Sequence, residues 1–278
     1  MTIATVWTAP EGRAWLAQGD CLEFMRLGPD ESVDCIWTDP PYLLSNDGTT
    51  CSNGERTNVN KGAWDRSHGW EADHAFNVSW LTECLRLLKP AGTLWVSGTH
   101  HIYLNVGFAL QQLGFRILND IVWEKPNPPP NLGCRCFTHS TETLLWATKA
   151  AKGSDDKYTF DYEAMKAENG GKQMKNVWKI KAPGKAEKRH GRYPTQKPLA
   201  LMDRCLRAST KQGDLVLDPF CGSGGTGVAA LLSGRRFFGC DSDSGAIAIA
   251  LKRLEEAAAQ PSTAEPPLAA APATEVLP

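Results

Sequence analysis

The chain has 278 residues, of which 42% are hydrophobic and 22% charged, enough for one large domain with a sizeable core. A formal net charge of -1 and a pI of about 6.6 exclude a uniformly basic surface, so a nucleic-acid or acidic-membrane partner would have to be met by a local patch. The nine cysteines are odd in number and are scattered through apolar runs (Cys35, Cys84, Cys205, Cys240) instead of lying at disulfide-framework spacings. That usage predicts reduced, buried thiols and a cytoplasmic protein. Cys134-x-Cys136 is the one close pair and has no Cys/His quartet around it, so no metal site is expected. No basic region followed by an apolar core opens the chain, and no apolar run approaches membrane length, so neither export nor a membrane anchor is expected.

In chain order, residues 13–20 (RAWLAQGD) predict a short strand ending at Gly19-Asp20, and CLEFMRL has helical spacing. A second strand is predicted over 33–38. Residues 43–73 are rich in Asn, Gly, Ser and Thr with little periodicity, a length that marks a functional, mobile loop. A helix is expected from about 75 to 88, stopped by Lys89-Pro90-Ala91-Gly92, then a strand TLWVSG. A helix near 103–113 leads to two strand-like runs, RILNDIVWEK and ETLLWATK. This alternation argues for an α/β fold built on a largely parallel sheet. Residues 149–192 break the pattern, with twelve Lys/Arg against six Asp/Glu, an excess of six positive charges in a chain of net charge -1. The alternation resumes at DLVLDPFCGSGGTGVAALLSG and again at RRFFGCDSD, before a helix starting near Ser244. Residues 257–278 are Ala/Pro-rich and are expected to form a disordered tail.

Two stretches carry chemistry. In LVLDPFCGSGGTG a strand ends at Asp218 and opens into Gly222-Ser223-Gly224-Gly225 before a helix, which lets a ligand lie against backbone N–H groups at the carboxyl edge of a sheet. The next strand ends in Asp241 about twenty residues later, where a carboxylate can grip ribose hydroxyls. The turn is not Gly-x-Gly-x-x-Gly, and no Lys-Ser/Thr pair follows it, so a nucleoside-bearing cofactor fits better than a dinucleotide or a nucleoside triphosphate. The other stretch is Thr38-Asp39-Pro40-Pro41-Tyr42. Asp39 ends a strand, and the prolines stop the ladder. An acid, an outward carbonyl at Pro40 and the Tyr42 ring together suit a flat ring with an exocyclic amino group.

At these residues the chain resembles the amino-group DNA methyltransferases that use S-adenosylmethionine. The pair DPPY and DPFCGSGGTG carries the likeness, in the order of the β-class permutation, with the catalytic motif first and the cofactor glycines near the C-terminus. QGDCLEFM, IVWEKPNPPPN, RCFTHSTETLLWA and RYPTQKPLALMDR extend the match over most of the chain. The resemblance implies a single Rossmann-like methyltransferase domain, with a seven-stranded, mostly parallel sheet, helices on both faces and a circularly permuted motif order. Within it, 1–148 would be the catalytic half, 149–192 a basic target-recognition insertion, 193–256 the cofactor-binding half and 257–278 the tail. Catalytic roles are implied for Asp39, Pro40, Pro41 and Tyr42. Cofactor contacts are implied for Asp20, Asp39, Thr195, Gln196, Lys197, Asp218, Pro219, Phe220, Gly222, Ser223, Gly224, Thr226 and Asp241. Asp20 would meet the adenine amino group of the cofactor, and Asp241 its ribose. GSGGTG carries one glycine more than the usual Gly-Ser-Gly-Thr form, which leaves the contact of Thr226 open.

The implied reaction is transfer of a methyl group to adenine N6 in double-stranded DNA by base flipping and direct attack. Cytosine N4 is the nearest alternative, and Asp39, where those enzymes more often carry Ser, favours adenine. An RNA or protein-amide substrate and a DNA-binding protein without activity are the remaining alternatives. The resemblance also implies a homodimer and a cognate restriction endonuclease as partners. The basic segment is then expected to meet phosphates. Trp64 and Trp70 in the polar loop are expected either to close over the target base or to anchor the loop to the core.

Overall fold

The structure, a computed structural model, describes residues 3–46, 49–52, 55–58 and 60–260. Alternation of inward and outward side chains builds each strand into a two-faced layer. In β3 (Val33–Thr38) Cys35 and Trp37 face one half of the core and Ile36 the other, while a register shift between Val33 and Cys35 puts Val33 on the side of Ile36. The same period of two runs through β10 (Leu215–Asp218), where Val216 opposes Leu215 and Leu217. A strand apolar on both faces must be covered by helices on both, and this one is. The first cluster takes Leu201, Cys205 and Leu206 of α5 (Leu199–Ser209), Val228 and Ala229 of α6 (Gly225–Leu232), and Ile247 and Leu254 of α7 (Ser244–Ala259). The second takes Phe24 of α1 (Cys21–Arg26), Trp80, Leu81, Cys84 and Leu87 of α2 (Trp70–Leu87), and Val106 and Leu110 of α3 (Tyr103–Gln112). In α2 these buried positions fall three and four residues apart, the spacing of one helix face.

The remaining strands are β1 (Ala4–Thr8), β2 (Ala14–Gln18), β6 (Leu88–Gly98), β7 (Arg116–Glu124), β8 (Thr141–Thr148), β9 (Val177–Lys179) and β11 (Arg236–Asp241), with a separate antiparallel ribbon of β4 (Thr49–Ser52) and β5 (Glu55–Asn58). The main sheet runs β1-β2-β11-β10-β3-β6-β8-β7-β9. Strands β2, β11, β10, β3 and β6 are parallel to one another, β8 runs against both β6 and β7, and β9 pairs parallel with β7. The chain leaves β10 toward β11 and leaves β3 toward β6, on the other side. Their carboxyl ends therefore border a crevice where the connections diverge, the place where open α/β sheets bind ligands.

Four boundaries differ from the expectation. The sheet has nine strands instead of seven, because β1 and β9 pair onto its two edges. Helix α2 begins at Trp70, and the polar stretch before it contains the β4–β5 ribbon, whose strands carry its three threonines, Thr49, Thr50 and Thr57. Residues 149–192 are woven into the body of the domain. Their helix α4 (Tyr162–Glu168) buries Met165, while Trp178 and Ile180 join the first core cluster. Finally, α7 extends through Ala259 with Ala257 buried, so the helix outruns the predicted start of the tail; residues 261–278 lie outside the described residues.

Candidate active site

Four acids follow the carboxyl ends of four neighbouring parallel strands: Asp20 after β2, Asp241 on β11, Asp218 on β10 and Asp39 after β3. They line one cleft of about 280 Å³. The sheet thus brings residues 20, 39, 218 and 241 onto one edge, although up to 221 positions separate them in the sequence.

At one end of the cleft the acids are held by backbone. The Oδ1 atom of Asp20 accepts from the N–H groups of Leu22 and Glu23 at 2.9 and 3.0 Å and so caps α1. Asp241 accepts from Gly222 N–H at 2.8 Å and Asp243 N–H at 2.9 Å. Asp218 is almost wholly buried; it accepts from Phe220 N–H at 3.1 Å and from the Thr226 hydroxyl at 2.6 Å. Burial raises the Asp218 pKa to about 7. The Thr226 hydroxyl, at the end of the turn that carries the extra glycine, is thus engaged by Asp218. Two glycines of the turn between them have close neighbours. A Cβ on Gly222, whose φ is +49°, would come within 2.8 Å of the Tyr193 ring, and one on Gly225 within 2.5 Å of Met202.

At the other end the acids are held by side chains. The Tyr42 hydroxyl lies 2.7 Å from Asp39 Oδ1, 3.2 Å from Glu142 Oε2 and 3.4 Å from Ser97 Oγ. Lys197 Nζ donates to Asp39 Oδ2, stands 3.6 Å from Glu142 and lies 5.1 Å from the centre of the Tyr42 ring. Lys125 Nζ donates to the other oxygen of Glu142. Burial pushes the Asp39 carboxyl upward against the pull of Lys197. Burial also opposes charge on Lys197, but Asp39 and Glu142 outweigh it and hold the ammonium above its ordinary pKa. Glu142 resists burial in the same way, held below the usual carboxylate range by Lys197 and Lys125. The result is two carboxylates and two ammonium groups, with a phenol bridging the carboxylates.

Every expected site residue lines this cleft except Gly224. Gly224 instead occupies the left-handed region at φ 73° as the residue before α6, with its Cα facing Ala250. Of the two loop tryptophans, Trp64 lines the cleft. Trp70 begins α2, 68% exposed, with its ring stacked on His74 at 5.5 Å. The buried Asp65 fixes the loop's entrance by accepting from Leu43 N–H, Leu44 N–H and the Ser45 hydroxyl. Sequence reasoning did not single out Glu142, Lys125 or Asp65. Glu142 gave one signal, an acid between two threonines at the start of the strand-like β8 run.

The donor set suits a nucleoside carrying a positive charge: carboxylates for ribose hydroxyls and amino groups, with Phe220 as an apolar wall. In addition, Gln196 Oε1 is buried without a hydrogen-bond partner among the described residues, which leaves one acceptor unused beside the cleft. Among the described residues, no helix is long and apolar enough to cross a membrane.

Comparison with known proteins shows the family. Residues 33–252 match the N6/N4 methyltransferase family model, described as DNA methylase. The chain is 50% identical over 240 residues to the type II methyltransferase M2.DpnII of Streptococcus pneumoniae, covering 86% of this chain and 89% of that one. It is 46% identical over 239 residues to M2.MboI of Moraxella bovis, covering 86% of each. Among solved structures, the S-adenosylmethionine complex of M1.HpyAVI superposes with a TM-score of 0.61 at 25% identity, over 87% of this chain and 99% of that one. The cytosine-N4-specific PvuII DNA methyltransferase, at 20% identity and a TM-score of 0.69 over 88% of this chain and 87% of that one, shares the fold. The chain belongs to the N6/N4 family of DNA methylases.

Proposed function

We propose that the protein methylates the N6 amino group of adenine in double-stranded DNA, with S-adenosylmethionine as the methyl donor. The observation that carries this reading is the sharing of one cleft by the Asp39 to Tyr42 stretch and the Gly222 turn. Asp241, Asp20, Phe220, the Gly222-Ser223 turn, Thr226 and the Thr195-Gln196-Lys197 stretch would hold the donor. When bound, it supplies an electrophilic methyl group.

The chain's own residues prepare the acceptor. An adenine amino nitrogen is a poor nucleophile because its lone pair is delocalised into the ring. Acceptance of its two N–H bonds by Asp39 and the Pro40 carbonyl draws that lone pair toward the reacting direction and stabilises the positive charge that develops. Asp39 must be ionised for this; its burial opposes that state and raises its pKa, while Lys197 beside it favours the charge. Lys197 also occupies an oxygen of Asp39 that an incoming N–H group would need; its ammonium has further acceptors in the Thr195 carbonyl at 3.4 Å and in Glu142, 3.6 Å away. Alignment of nitrogen, methyl carbon and sulfur accounts for much of the acceleration, on the order of 7 kcal/mol. The target base leaves the duplex to reach the cleft, at a cost of a few kcal/mol, and Tyr42 offers it a ring face. The exposed lysines of residues 149–192, among them Lys172, Lys175, Lys181 and Lys185, would meet the phosphates.

Asp39 in place of the serine frequent in cytosine-N4 enzymes favours adenine. As partners we propose double-stranded DNA, a second copy of the chain and a cognate restriction endonuclease. The decisive test is digestion to nucleosides after reaction with unmethylated duplex DNA, followed by mass spectrometry. N6-methyladenine is expected, whereas N4-methylcytosine would move the assignment to the cytosine branch.

A further inference from the structure

The loop between β7 and β8 presents a side chain that neither the fold nor the cleft uses. Phe137 is 96% exposed, the most exposed of the large hydrophobic residues described. Single exposed apolar residues are common, but the other exposed aromatic rings here have partners. Trp70 and Phe108 lie against His74, Phe160 against Trp146, and Tyr162 under Lys166. Phe137 has no ring or cation contact among the described residues.

Its setting points to a partner. The loop is tied at its neck by the Lys125 N–H to Ser140 carbonyl bond at 2.7 Å. Within it, Asn131 Nδ2 donates to the Cys136 carbonyl at 2.9 Å, and Asn131 Oδ1 accepts from Gly133 N–H at 3.0 Å. At its base the His139 ring stacks on His100, centres 4.4 Å apart, just beyond the end of β6. From residue 125 to residue 141 the loop has no Asp or Glu, and it carries the exposed Arg135 two positions from Phe137. The two residues flanking this loop's ends, Lys125 and Glu142, belong to the charge network around Asp39 and Tyr42. The loop therefore stands at the target end of the cleft.

We propose that Phe137 enters the DNA base stack and fills the space left by the base that moves into the cleft. This inference rests on the reading that the protein flips a base out of duplex DNA. A base leaving a duplex opens a gap bounded by two flat faces, which an aromatic ring of this size fills and an alanine does not. Arg135 stands where a phosphate flanking the gap would pass, and the absence of carboxylates on the loop removes repulsion from the backbone.

Phe137→Ala and Phe137→Trp are compared with the wild-type chain by labelled methyl transfer to unmethylated plasmid DNA, either duplex or heat-denatured, and by calorimetric titration with S-adenosylmethionine. Expected for Phe137→Ala is a loss of about tenfold to a hundredfold in kcat/KM on duplex, a change below about twofold on denatured DNA and unaltered cofactor binding; Phe137→Trp keeps duplex activity. Should the wild type turn over duplex only, the second substrate is the mapped target in a duplex with an abasic site opposite the target base, which should rescue Phe137→Ala. Equal losses on both substrates, or full duplex activity in Phe137→Ala, would overturn the proposal. A wild-type protein that methylates none of these DNAs would instead overturn the function on which it rests.

Discussion

The two ends of the cleft are built from different interactions. At the glycine-turn end, Asp20, Asp218 and Asp241 are fixed mainly by backbone N–H groups a few residues to about twenty residues away. Their positions follow from strand, turn and helix, and a bound molecule finds them already in place. At the Asp39 end, the groups come from the ends of β3, β6, β7 and β8 and from the stretch before α5, and they hold one another through side chains. Backbone-held acceptors cannot be rearranged without unfolding a turn, whereas an ammonium between two carboxylates can shift from one to the other. The contrast suits a firmly seated methyl donor and a target base that must enter and leave at each turnover.

The strongest way to break this contrast is Asp39→Ala. Transfer should fall by about a thousandfold or more, while affinity for S-adenosylmethionine measured by calorimetry stays within a few-fold; joint loss of both would mean that the two ends are not separable. Next in size is Glu142→Gln, which removes an anion facing Lys125 and Lys197. Leaving two ammonium groups around one carboxylate should lower the unfolding free energy by roughly 3 kcal/mol, read from denaturant titrations. Unchanged stability would show that the network is not cohesive.

A smaller effect is expected away from the cleft. Lys181→Ala with Lys185→Ala should reduce the slope of log Kd against log salt by about one for each phosphate no longer neutralised. A slope equal to that of the wild type would remove this part of the basic segment from the DNA footprint. The subtlest prediction concerns the backbone-held end. The folded-state pKa of Asp218, about 7, lies above its ordinary 3.8, so the folded protein keeps a proton that the unfolded chain releases. The stabilisation from that proton is fully present below pH 4 and is lost as the pH rises through about 7. Asp218→Asn should flatten this part of a Tm-against-pH curve, with the side-chain amide oxygen accepting from Phe220 N–H in the same place. A variant curve parallel to the wild type would assign the slope to another group.

Most of the glycine-turn end was legible in the chain because its determinants are local. Asp218, the glycines after it and Asp241 sit on consecutive strand, turn and helix signals, and Asp20 at a helix start is a recognisable cap. The edge strands were not legible. β9 is three residues long within a Lys-rich stretch, and only its pairing with β7 makes Val177–Lys179 a strand. Trp178 and Ile180 read as isolated apolar residues until Trp95 and Trp123 receive them.

The sequence by itself determined that strands and helices alternate, that a glycine turn faces an acid on the next strand, and that Asp39 ends a strand in front of two prolines. These are consequences of side-chain periodicity and of the limited backbone angles of proline and glycine, which act over a few residues. Only the tertiary structure decided that Glu142 and Lys125 surround Tyr42 and Lys197, because their meeting depends on β8 lying antiparallel between β6 and β7. No local signal encodes which strands become neighbours. That order is set by the burial of two apolar faces at once, a property of the whole sheet.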